Sequence, residues 1–154
     1  MRLRIAFTKG LAPRFLAALG GFTAIAAHAL AAPEPVPQCP QFIEQQSVQL
    51  INTPAGWTTF VHEPLYLHGA APMSGPPKEL GELADYSEKR DKGAMVYTYK
   101  LDAPFPAGKW LSCTYGEGDQ ISLGMRLADN IKVCTFRQKK GPHVGENYIA
   151  INCQ

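Results

Sequence analysis

The chain has 154 residues, 45% of them hydrophobic, four cysteines and a formal net charge of +2, a size that suits one domain with a modest core. Its positive charge is local: four of the fifteen lysines and arginines, and none of the thirteen acids, fall in the first 31 residues. The remainder holds eleven bases against thirteen acids, a net of −2, which removes the main support for a nucleic-acid partner.

Taken in chain order, Arg2, Arg4, Lys9 and Arg14 form a basic head, followed by an apolar run from Phe15 to Ala27. That run of about 13 residues is too short to cross a bilayer, which needs about 20. Ala29-Leu30-Ala31, or Ala27-His28-Ala29, then supplies the small residues that signal peptidase reads. The pattern predicts a cleavable Sec-type signal peptide over 1–31, cut after Ala31 or alternatively after Ala29. The product would be periplasmic or secreted, with no stable membrane anchor after processing. Val36-Pro37-Gln38 ahead of Cys39 does not make a lipid-attachment box.

Residues 32–38 read as a Pro-rich flexible leader, and 39–154 as a single disulfide-bonded, β-rich domain. The run 42–51 reads as a first strand, Thr53-Pro54-Ala55-Gly56 as a turn, 57–61 as a short strand and 67–70 as another. Pro72, Met73, Ser74, Gly75, Pro76 and Pro77 belong to the most loop-like stretch, 71–77, which is the candidate binding loop because an exposed loop on a rigid scaffold presents a surface well. Residues 78–84 allow one or two helical turns started by Pro77. Beyond them, 94–101, 109–115, 121–127, 131–137 and 148–153 carry strand formers and period-two alternation, with Ile121, Leu123, Met125 and Leu127 expected inward. Tight turns such as Gly116-Glu117-Gly118-Asp119 join them. The fold class is mainly β: an antiparallel meander or sandwich-like sheet with at most one short helix.

Cys39, Cys113, Cys134 and Cys153 all follow the signal. An even count in an exported chain reads as two disulfides, and no C-x-x-C pair suggests a metal or redox site. Of the three pairings, Cys113–Cys134 with Cys39–Cys153 is favoured; the short loop would contribute about 3 kcal/mol and the long one about 5. One geometric objection stands against it: two strands apart in a flat sheet, Cys113 and Cys134 would be about 10 Å from each other, too far to bridge.

Candidate chemistry is sparse. His62, His68 and His143 lack the spacing of a zinc site. Ser74 with His68 and Asp85 can be drawn as a triad, but Ser74 has no nucleophile elbow. Glu79, Glu82 and Asp85 would share one face if 78–84 were helical, and Glu117 and Asp119 suit turn chemistry. Tyr97 and Tyr99 share a strand face and form a candidate aromatic platform. No cofactor motif and no catalytic or metal set emerges.

Cys39-Pro40, Gly56-Trp57, Gly75-Pro76-Pro77, Leu83, Lys92-Gly93, Trp110-x-x-Cys113-x-Tyr115, Leu127, Cys134 and Cys153 together resemble a family of small exported four-cysteine proteins of Gram-negative bacteria. The resemblance spans nearly the whole chain after the signal, and W-x-x-C-x-Y with the two later cysteines is its most specific part. It departs from the family where Ala71-Pro72-Met73-Ser74 replaces a Phe-rich strand before G-P-P. The resemblance implies export and disulfides and carries no activity.

The leading functional reading is a non-enzymatic periplasmic binding protein, of inhibitor or immunity type, whose partner is another secreted or periplasmic protein. A small cell-envelope hydrolase using His68, Glu79, Glu82 and Asp85 is the alternative, and a structural envelope component the third.

Overall fold

Short turns between runs of strand formers give an almost wholly β structure. The computed structural model describes residues 36–154; the predicted signal peptide and the first part of the leader lie outside the described residues. The strands are β1 (Phe42–Ile43), β2 (Leu65–Ser74), β3 (Glu82–Leu83), β4 (Tyr86–Asp91), β5 (Ala94–Lys100), β6 (Lys109–Tyr115), β7 (Ile121–Arg126), β8 (Val133–Lys140) and β9 (Asn147–Cys153). One sheet has the order β1-β2-β6-β7, with β3 against the end of β2; the other has the order β4-β5-β8-β9. Every pairing is antiparallel.

The five C-terminal strands lie where their alternation predicts, but they do not form a simple meander. Successive hairpins alternate between the sheets: β5 pairs with β8, and β6 pairs with β2. The Pro-containing connection 101–108 is long enough to carry the chain from one sheet to the other, whereas the hairpins close on tight turns. At the β4–β5 turn Lys92 and Gly93 both have positive φ, 46° and 75°, as a two-residue type I′ turn requires. β4 was not predicted, because Glu88, Lys89, Arg90 and Asp91 mask its pattern. It is an edge strand exposed along most of its length, where charges discourage further pairing.

Leu111, Cys113 and Tyr115 of β6 point inward, and so does Leu67 of β2. They share one buried cluster with Tyr99, Cys134, Phe136, Ile151 and Cys153 of the other sheet. Edge strand β7 overhangs this core. Leu127 just beyond it is buried and Ile121 half-buried, but Leu123 and Met125 are exposed, contrary to the expectation from alternation.

The candidate loop 71–77 is corrected in its first half. β2 runs through Pro72, Met73 and Ser74. Proline is tolerated here because its carbonyl accepts from Ala84 N–H; its backbone groups face short β3, so its missing N–H breaks no bond to β6. Gly75, at φ 87°, turns the chain so that Pro77 lands on β7. A Cβ at Gly124 would come within 2.5 Å of Pro77 Cδ. The helix expected over 78–84 is only a 3-10 turn, Pro77–Glu79, which ends where Leu80 takes a left-handed conformation. The strands expected over 42–51 and 57–61 reduce to β1 and a 3-10 turn at Gln45–Ser47.

The disulfides are Cys39–Cys113 and Cys134–Cys153, so the favoured pairing is corrected. Cys113 and Cys134 lie on strands of different sheets. Cys134 instead faces Cys153 across the β8–β9 hairpin, with Cα atoms 4.1 Å apart. Val133 and Gln154 beside them exchange both backbone hydrogen bonds. The cysteines therefore form the non-hydrogen-bonded pair, where Cα atoms come closest. Cys39–Cys113 fixes the N-terminal arm to β6. The arm is ordered earlier than the flexible leader of 32–38 implied: Val36 packs on the core, and the Gln38 side chain both donates to Ile151 O and accepts from Ile151 N–H.

Candidate partner-binding site

Four of the twelve large apolar side chains left exposed among the described residues lie on one connection. Residues 44–64 join β1 to β2, and because Ile43 pairs with Leu65, the two ends of this loop are adjacent. None of residues 45–61 is ionisable. The loop begins with the 3-10 turn Gln45–Ser47. Its outer part is a β-turn in which Trp57 N–H donates to Pro54 O and Gly56 sits at φ 82°, the type II arrangement that favours glycine at the third position. Gln45, Gln46 and Val48 on one limb share a shallow recess with Thr59, Phe60 and Val61 on the other. From this frame Leu50, Ile51, Trp57 and Phe60 stand 67%, 94%, 74% and 75% exposed.

The root of the loop is fastened on several sides. Cys39 is bonded to Cys113. The Tyr115 hydroxyl donates to Pro40 O at 3.0 Å, and the Gln41 amide donates to Glu146 Oε1 and Asn147 O. Burial pushes the Tyr115 phenol up to about 12. Loops linking β6 to β7 and β8 to β9 lie at the same end of the molecule. His68 Nδ1 and Asp119 Oδ1 are 2.9 Å apart; the His143 ring stacks on Tyr66 at 4.0 Å; and Asn147 donates to His68 O. Burial pushes the Asp119 carboxyl up, but hydrogen bonds from Thr114 and His68 outweigh it and hold the group below the ordinary carboxylate value.

These contacts separate the residues that the alternative readings needed together. Glu82 pairs with Ser74, six residues along β2 from His68 and so about 20 Å away at strand spacing. His68 takes Asp119, not Asp85, as its partner, and Ser74 is not beside it. Glu79, Glu82 and Asp85 are exposed and share no helix face. His62 lies against Phe60, whereas His143 stacks on Tyr66. Among the described residues no group of His, Cys, Asp and Glu is placed to hold a metal. Tyr97 and Tyr99 do share a face, joined by Tyr86 at 5.6 and 5.4 Å, but Tyr99 is buried against Phe136. Of the six residues in the candidate binding loop, Pro72, Met73, Gly75 and Pro76 are buried, leaving Ser74 and Pro77 half-exposed.

The sequence reading missed the exposed loop because Val48–Ile51 and Trp57–Val61 contain strand formers. The complete lack of charge over 45–61, interrupted by Thr-Pro-Ala-Gly, was the available signal. The cleft beside β6 is structural. Lys109 is buried there, and its ammonium donates to Asp129 O and Ile131 O. Burial, then the neighbouring Lys132, lowers its pKa, while Asp129 and Asp102 oppose the shift.

A family model described as type VI secretion system Tli immunity protein matches residues 62–154, more than half of the chain. The matched part takes in β2 to β9, the G-P-P turn and W-x-x-C-x-Y; it leaves out Cys39-Pro40 and Gly56-Trp57. Neither a curated protein nor a solved structure matches the chain.

Proposed function

The chain belongs to the family of type VI secretion system Tli immunity proteins, and from this membership we propose that it protects the cell that makes it by binding a delivered effector protein in the periplasm. The match carries the reading, because it covers eight of the nine strands and reaches into both sheets. The basic head, short apolar run and A-x-A site of residues 1–31 support export by cleavage after Ala31 or Ala29. Two disulfides with no free cysteine among the described residues suit an oxidising compartment. Protection by this route is stoichiometric: the protein masks its partner and transforms nothing.

The binding role expected for Pro72, Met73, Ser74, Gly75, Pro76 and Pro77 is reassigned in this proposal. Four of the six are buried, and the segment serves mainly to seat Pro77 on β7.

The test is competition on a solid surface between the parent strain and a derivative lacking this gene. The deletion strain is expected to be outcompeted, to be rescued by the full gene and not to be rescued by a version without residues 1–31. A deletion strain that holds its own against a secretion-active parent overturns the immunity reading. Intact mass of the periplasmic product checks the processing step; loss of 31 or 29 residues is expected, and a full-length mass refutes it.

A further inference from the structure

We infer that the uncharged loop 45–61 is the principal contact with the effector, and that Trp57 and Phe60 seat in an apolar recess on that protein. This rests on the immunity reading and goes beyond the family match, which begins at His62.

Three observations carry the inference. Ile51, Trp57 and Phe60 are each at least 74% exposed and Leu50 is 67% exposed, so four of the twelve exposed large apolar side chains among the described residues fall within residues 50–60. Solvent-exposed apolar groups concentrated on one segment mark an interaction surface. Next, the loop is held for presentation: its ends are paired as β1 and β2, its root is bonded through Cys39–Cys113, and its outer turn is set by Gly56. A loop prepared in this way loses less conformational freedom on binding. Last, its chemistry selects the occupant. Trp57 and Phe60 lie among Gln, Asn and Thr side chains with no charge, which is the make-up of a protein interface with an aromatic anchor and a polar rim. A membrane-seeking segment instead combines apolar residues with Lys or Arg. Here the nearest ionised groups along the chain are the acids Glu44 and Glu63, in a processed chain of net −2.

The experiment complements the deletion strain with the full gene carrying Trp57→Asp and Phe60→Asp together, or Leu80→Asp. Leu80 is 92% exposed just beyond the far end of β2, about 30 Å along the strand from the loop root. The purified W57D/F60D protein should keep the wild-type unfolding temperature and both disulfides; Ile51→Asp provides the same test should it not. Protection is expected to fall to the empty-vector level with the loop variant and to remain at the wild-type level with L80D.

Full protection by the loop variants overturns the assignment. Loss with L80D alone overturns it too, and moves the contact to the G-P-P turn. A wild-type gene that fails to protect removes the immunity reading and this inference with it, which distinguishes the two failures. Wild-type protein is expected to be monomeric by light scattering and not to sediment with phosphatidylethanolamine–phosphatidylglycerol vesicles. Loop-dependent dimers or loop-dependent sedimentation would assign the surface to a second copy or to a membrane, and overturn the proposed occupant.

Discussion

Tyr115 and Tyr99 show how single residues report on the packing around them. Burial raises both phenols to about 12, with Tyr86 and Tyr97 adding to the effect at Tyr99. A raised pKa means that the folded state holds its proton after the unfolded chain, titrating near 10, has released it. The stabilisation is therefore complete below about pH 10 and lost as the pH rises through about 12, on the order of 3 kcal/mol for each tyrosine. Lys109 acts in the opposite sense, since its lowered pKa relieves the fold as pH approaches its ordinary 10.5. Tyrosinate absorbance should show a second rise with its midpoint near pH 12, with the urea midpoint falling between about pH 10 and 12; Tyr99→Phe should flatten both. A titration in which all six tyrosines share one midpoint near pH 10 would contradict this. That Leu111, Cys113 and Tyr115 share one strand face was legible from sequence. Asp119 as the partner of His68 was not, because 51 positions separate them and the approach of a turn to a distant strand leaves no local signature.

At the scale of elements, the two staples differ in what they hold. Cys39–Cys113 spans 74 positions and Cys134–Cys153 spans 19. Chain-entropy reasoning gives about 4.5 kcal/mol for the first and about 3 for the second. Replacing Cys39 and Cys113 with alanine should lower the unfolding free energy by the larger amount and loosen the 44–64 loop, seen as faster amide exchange there. Replacing Cys134 and Cys153 should leave the exchange of that loop unchanged. Equal exchange in the two variants would show that β1 pairing alone fixes the root. Gly124 offers a second test: Gly124→Val drives a side chain into Pro77 and should cost about 1–3 kcal/mol as overpacking, measured by denaturant unfolding. Hairpin strands were legible because alternation and turn residues are local signals. β4 was hidden by its charges, and the loop's apolar runs mimicked strands that have no partner to pair with.

At the scale of the described residues, the family match spans an eight-strand sandwich, β2 to β9, to which residues 36–61 add a stapled arm and an uncharged loop. That division makes the loop separable in experiment: variants at Trp57 and Phe60 should change protection without changing stability, whereas Tyr115 and cysteine variants should change stability first. The sequence by itself determined the β class, the five C-terminal strands, the export pattern and the use of four cysteines in bridges, since each follows from composition or from spacing over a few residues. Only the tertiary structure decided which cysteines meet, which strands share a sheet and which apolar residues remain in water. Those outcomes depend on the side of the core to which each connection carries the chain. For a small exported protein of the Tli immunity family, that is what moved the candidate contact from a proline turn folded onto β7 to the loop held open by Cys39.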